Sequence, residues 1–274
     1  MRKSPKTLGS RLVLLVGLML VALLLLVPLS LIFVKALSEG LPALWENLQA
    51  DYMQHAIGLT LFVAVITVPL NMLLGMALAW CMTHYDFVGK RVLSIIIDIP
   101  YAVSPVVAGL CYLVVYGVEG IVGHWFAEHD IQLMFAWPGI LLVTIFVTTP
   151  YVARILIPLM QAQGSDAESA ALSLGANGWQ IFWHVSLPDI KWGLMYGVVL
   201  TNARAIGEFG AVSIVSGTIM NQTLTLSLLV DQLNNDNKAA AAFTAAALLA
   251  VIAIASVAIK SVLEWRLDAA ERAG

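Results

Sequence analysis

Arg204 and Glu208 are the residues whose types and spacing first suggest chemistry. They stand in "RAIGEFG", residues 204–210, inside a run that otherwise reads as a membrane-spanning helix. Hydrocarbon penalises a charge at its centre by about 2.5 kcal/mol or more, so both side chains are expected to face protein or a wet cavity. Four residues apart on a helix, they share a face and can pair. If the helix starts near Gly193, Arg204 lies roughly 17 Å along it at about 1.5 Å per residue, close to the midplane of a core about 30 Å thick. Two readings stay open. In one, the pair neutralises itself and fixes its helix through the small residues Ala203, Gly207 and Ala211. In the other, Arg204 acts on a passing anion and Glu208 offsets its charge. Ser104 joins this group because Pro100 and Pro105 bracket it. Proline removes backbone donors, so the helix there is expected to bend or unwind. Either the bends serve packing, or the freed groups around Ser104 face the same path.

The second constellation is the polar-to-apolar stretch 163–193. Gly164 is placed to end one helix. Ser165 and Glu168 have the capping-box spacing that starts another. Ala167, Ala170, Ala171 and Leu174 follow at i, i+3, i+4 and i+7, and Gly175 is placed to stop that helix. Asn177 and Gln180 repeat the capping spacing. A second short helix then carries Trp179, Phe182, Trp183 and Val185 until Pro188 breaks it. A helix–turn–helix of this kind is either packed on the chain's own spans or a docking element. In the docking case the alanines admit another protein's surface and the aromatics anchor it from behind.

The elements that must position these groups are membrane helices. The chain is 60% hydrophobic and 11% charged, whereas soluble domains carry about a quarter charged residues. Six runs are long enough to span: 12–34, 56–80, 92–117, 136–158, 193–216 and 239–263. The first follows a basic tail and is too long for a signal-peptide core. With a cytoplasmic N-terminus, one side holds Arg2, Lys3, Lys6, Arg11, Lys90, Arg91, Arg154, Lys191, Lys260, Arg266 and Arg272. The other holds only Lys35 and Lys238. Eleven against two predicts six spans with both termini cytoplasmic. The chain then divides into a basic tail (1–11), a first helix with an external loop (12–55), a core (56–264) containing the cytoplasmic loop 163–191, and a tail (265–274). Arg154 is read as snorkelling to the interface, Trp45, Tyr52, Trp125 and Trp137 as belt aromatics, and the alanine run 239–247 as a close helix contact. Cys81 and Cys111 read as small buried hydrophobes.

Several function classes are disfavoured. A net charge of −3 gives no basic surface for nucleic acid. His124 and His129 on a wet loop without cysteine read as solvated rather than as metal ligands. No G-x4-G-K-[ST] phosphate loop, H-E-x-x-H or G-x-S-x-G occurs, so the chain is not expected to be an enzyme or to bind a cofactor. If ATP drives it, another polypeptide hydrolyses the ATP.

The loop sequence, "SAALSLG" through to "VSLP", resembles the EAA loop of ABC importer permeases, E-A-A-x3-G-x9-I-x-L-P. Ala170, Ala171, Gly175, Leu187 and Pro188 match in register, while Ser169 replaces the glutamate and Val185 the isoleucine. "DIPYAVSPVVAGL" (98–110) and "TNARAIGEFGAVSIVSG" (201–217) further resemble the sulfate/thiosulfate importer permeases, W-type. The resemblance implies an all-α type I importer permease fold. It implies pairing with a related T-type permease, two cytoplasmic ATPase subunits coupled through the loop (Glu168, Ser169, Ala170, Ala171, Leu174, Gly175, Leu187, Pro188), and an anion-delivering periplasmic binding protein. A molybdate or tungstate importer, an ion-gradient-driven transporter and a subunit without a path of its own remain as alternatives.

Overall fold

The structure, a computed structural model, describes residues 8–271, without the side chains at 8, 10, 11, 260 and 263–271. Arg2, Lys3, Lys6 and Arg272 lie outside the described residues, as do the side chains of Arg11, Lys260 and Arg266, so the charge count behind the orientation rests on sequence.

Every regular element described is helical. In chain order they are α1 (Leu8–Val21), a π turn (Ala22–Leu26), α2 (Val27–Ala36), α3 (Leu41–Gln49), α4 (Asp51–His84), α5 (Lys90–Ala102) and α6 (Pro105–Tyr116). Then come α7 (Gly123–Glu128), α8 (Trp137–Gln163), α9 (Asp166–Ser173), α10 (Gly178–Ile181) and a second π turn (Phe182–Ser186). The remainder are α11 (Leu187–Ile206), α12 (Gly210–Val215), α13 (Leu226–Asn235) and α14 (Ala239–Glu271). Among the described residues four helices are long and apolar enough to cross a membrane: Leu12–Ala36, Asp51–His84, Trp137–Gln163 and Ala239–Ile259. The pair α5–α6, bent by 110° at Val103–Ser104, makes a fifth if counted as one broken span. The outward faces carry leucine, valine and isoleucine along α1, α2, α4 and α14, as a lipid-facing surface requires.

Proline has three different outcomes here. α8 runs unbroken through Pro150 and Pro158, and α4 through Pro69. At Pro100–Pro105 the chain does unwind: Val103 is extended (φ −90°, ψ 134°) and Pro105 opens α6. Pro28 and Pro188 each follow a π turn and occupy the first turn of the next helix. The break expected at Pro188 therefore does not occur. The wider π turn draws Leu187 N–H onto Phe182 O and lets the helix continue past the missing proline donor.

One core cluster forms where α4, α8 and α11 meet. Val152 of α8 is fully buried between glycines of the other two. A Cβ on Gly75 of α4 would lie 2.5 Å from the Val152 Cβ, and one on Gly197 of α11 would lie 3.3 Å from its Cα. Small residues thus bring helix backbones together where apolar lipid gives no hydrophobic drive. Asn71, fully buried, adds polar stitches from α4 to α8: its Nδ2 donates to Thr148 Oγ1 at 2.6 Å, and its Oδ1 accepts from Thr149 Oγ1 at 2.9 Å. Thr60 Oγ1 accepts from Leu226 N–H at 2.7 Å and ties α13 to α4. Ala241, Ala242 and Ala245 of the alanine run are buried in a larger, separate cluster with Met53 and Val63 of α4, Val143 of α8 and Leu229 of α13. Cys81 and Cys111, read as buried, are free and exposed; they point outward from apolar helices, where a small apolar thiol meets lipid at little cost.

Candidate functional site

The two halves of 163–193 fold as a helix pair, held largely by local signals. Gly164 ends α8 at φ +71°. Gly175 follows α9 at φ +89°; its N–H donates to Leu172 O and that of Ala176 to Ala171 O, a Schellman closure that glycine enters without a Cβ penalty. Asn177 and Gln180 form a reciprocal capping box with both bonds at 2.9 Å. The expected box at Ser165 does not form: its side chain makes no capping bond, because Glu168 is engaged elsewhere. Glu168 Oε2 lies 2.8 Å from His84 Nε2, at the end of α4, and its Oε1 accepts from Ser186 Oγ at 2.5 Å.

This arrangement sorts the loop residues by face. Glu168 points into the molecule, whereas Ser169 and Ala170 are exposed and Ala171 is half-buried. Leu172, Leu174 and Trp179 are 65%, 89% and 71% exposed, so the outer surface of the pair is apolar. Phe182 is the aromatic that packs from behind, edge-on to Trp80 of α4 at 5.7 Å between ring centroids. Trp179 and Trp183 are exposed rather than set behind the alanines, since α10 turns that face outward. Leu187 packs into the α8–α11 core and Pro188 is exposed. An open groove of about 460 Å³ runs between α9 and α10, lined by Ala171, Leu174, Gly175, Ala176, Gln180 and Ile181.

Arg204 and Glu208 lie across a helix break rather than on one continuous helix. α11 ends at Ile206 and α12 starts at Gly210. Arg204 Nη1 and Glu208 Oε2 form an ion pair with the arginine side chain 28% exposed and the carboxylate 1%. Glu208 Oε1 also accepts from Ala211 N–H at 2.9 Å, and its backbone O accepts from Ser227 Oγ at 2.6 Å. One residue thereby ends α11, restarts the chain as α12 and holds α13. The break separates Ala203 and Gly207 from Ala211, so the expected small-residue stripe does not exist: Gly207 is exposed and only Ala211 is deeply buried. The two broken helices meet, since a Cβ on Gly210 would lie 3.1 Å from Pro105 Cβ. Ser104, exposed and making no capping bond, sits beside that junction.

Two partnerships escaped the sequence reading. Arg154 pairs with Asp98 across α8 and α5, beside an open hollow of about 510 Å³ that also touches Tyr101. The rule that charges inside a span seek each other was the available signal. His84 and Ser186 had no local signal, since their common partner is 84 and 18 residues away. On the loop 118–135, His124 pairs with Glu128 at 3.2 Å and His129 Nδ1 lies 2.8 Å from Trp125 O. Among the described residues no three His, Cys, Asp or Glu side chains converge as a metal site would need.

Residues 71–268 match the family of binding-protein-dependent transport system inner membrane components. The sulfate transport system permease protein CysW of Escherichia coli K12 is 53% identical, over 94% of this chain and 88% of that protein. The CysT permease of the same organism is 35% identical over 78% of this chain and 77% of its own length. A solved bacterial alginate ABC transporter, in complex with a periplasmic protein carrying an alginate pentasaccharide, superposes with a TM-score of 0.78 over 94% of each chain at 15% identity; that likeness concerns the fold.

Proposed function

The chain belongs to the binding-protein-dependent transport system inner membrane components, and from that premise we propose that it is one of two paired permeases of an ATP-driven sulfate importer. The observation that carries this reading is the identity to a sulfate permease along nearly the whole chain, with the α9–α10 pair presenting an apolar surface at the position of the docking loop. The second permease is a T-type paralogue like the one this chain also resembles. Two cytoplasmic ATPases supply the energy, and a periplasmic binding protein delivers sulfate or thiosulfate. The chain itself binds no cofactor.

In this reading α11–α12 completes the count of six spans in a bacterial inner membrane, with both termini and the α9–α10 pair cytoplasmic. Closure of the ATPase dimer pushes on Leu172, Leu174 and Ala170. The push passes through α9 into α4 and α11, which rock against α5–α6 where the two helix breaks meet. Glu208 fixes the α11–α12 break, and Arg204 is neutralised by it.

A photo-crosslinker at Leu174, in membranes containing the assembled complex, is expected to capture an ATPase subunit. Uptake of labelled sulfate should require this chain and be competed by thiosulfate. Uptake of labelled molybdate with none of labelled sulfate would overturn the substrate, and a clean absence of the ATPase adduct would overturn docking at this loop.

A further inference from the structure

α9 is an eight-residue helix hung between two glycines with positive φ, Gly164 at +71° and Gly175 at +89°. Joints of that kind leave a short helix free to pivot on its own, and a push on a pivoting helix is lost before it reaches the membrane. Glu168 removes that freedom. Its carboxylate is half-sheltered, with the side chain 18% exposed, and both oxygens are engaged: Oε2 with His84 Nε2 at 2.8 Å and Oε1 with Ser186 Oγ at 2.5 Å. The two partners sit at the ends of two different elements. His84 is the last residue of α4, and Ser186 closes the π turn that leads into α11.

Each partner is itself held in place. The His84 ring stacks on Trp80 at 3.9 Å and 5° between planes, and its Nδ1 lies 2.8 Å from Thr83 Oγ1. Ser186 is buried. Gln163, on the far side of the Gly164 joint, donates from Nε2 to Asp189 O at 3.0 Å and closes the same corner. Ser169, one position on, faces outward and bonds nothing but its own helix: its carbonyl accepts from Ser173 Oγ.

We infer that His84, Glu168 and Ser186 form a tether that makes α9 and the cytoplasmic ends of α4 and α11 move as one body. Glu168 is therefore a positioning residue that works inward, and the ATPase-facing surface consists of its exposed apolar neighbours. The inference rests on the importer reading for its consequence, but the tether itself is a contact that can be tested separately.

The test uses the complete complex in proteoliposomes, with two quantities read on the same preparation: binding-protein-stimulated ATP hydrolysis, and sulfate delivered per ATP. In Glu168→Gln, Ser186→Ala and His84→Ala the ATPase still co-purifies and hydrolysis stays within about twofold. Sulfate per ATP falls about tenfold in Glu168→Gln, the scale expected for losing a hydrogen bond to a charged group. The His84→Ala/Glu168→Gln double variant is no worse than the worse single, because the residues act as one unit. Ser186→Thr, which keeps the hydroxyl, retains coupling. Unchanged sulfate per ATP in Glu168→Gln overturns the tether, as does loss of ATPase co-purification in all three single variants, which would make the cluster a fold determinant or a direct contact. If the wild-type complex shows no ATP-driven uptake, the importer reading falls. The tether is then decided by amide exchange of 164–176: faster exchange in Glu168→Gln supports it and equal exchange overturns it.

Discussion

A buried carboxylate needs every oxygen accounted for, and Glu208 shows how that need builds structure. With its side chain 1% exposed, it is balanced by Arg204, by Ala211 N–H and, through its backbone, by Ser227. Breaking a buried pair from one side typically costs about 3–5 kcal/mol, because the remaining charge is left without its partner. Glu208→Gln is therefore expected to lower the amount of assembled complex in membranes, measured by co-purification of the partner permease. An Arg204→Gln/Glu208→Gln double variant should assemble better than either single. A Glu208→Gln complex that assembles normally and differs only in uptake kinetics would assign the pair to the anion path. Asp98 and Arg154, 36% and 48% exposed on this chain, also pair within spans, where a charge without its partner costs about 2.5 kcal/mol or more.

Helices were legible from sequence wherever their signals were local. Gly164, Gly175 and the Asn177–Gln180 box each act within four residues, and each ends or starts a helix as its spacing predicts. Legibility failed where a distant partner outbid a local one. Ser165 and Glu168 have the spacing of a capping box, but Glu168 bonds His84, 84 residues away. Residues 193–216 have the length and apolarity of one span, yet Glu208 and Ser227 stop the helix after Ile206. Of the small-residue stripe read at Ala203, Gly207 and Ala211, only Ala211 packs closely, where a Cβ on Gly109 would lie 2.7 Å from its backbone O. Other close approaches occur at Gly75, Gly193 and Gly197, where a Cβ would meet α8. Gly75→Leu should therefore cost about 1–3 kcal/mol or more of packing strain, seen as a lower midpoint of thermal aggregation in detergent. The same change at Gly58, which has open space, should leave that midpoint unchanged.

For the whole molecule, the proposed function makes the arrangement a transmission. In that reading the outer apolar surface of α9–α10 receives, the Glu168 contact with His84 ties it to α4, the glycine-packed α4, α8 and α11 carry the movement as a block, and the two broken helices shift where Pro105 meets Gly210. Leu174→Asp should strip the ATPase from the purified complex without lowering the permease pair, since the residue is 89% exposed and touches no core. The most direct measurement of the central claim is uptake of labelled sulfate into proteoliposomes holding the complete complex, with loaded binding protein on one face and ATP on the other. The account predicts accumulation that requires ATP and binding protein together and survives an uncoupler. Accumulation that persists without ATP and collapses with the uncoupler would contradict it.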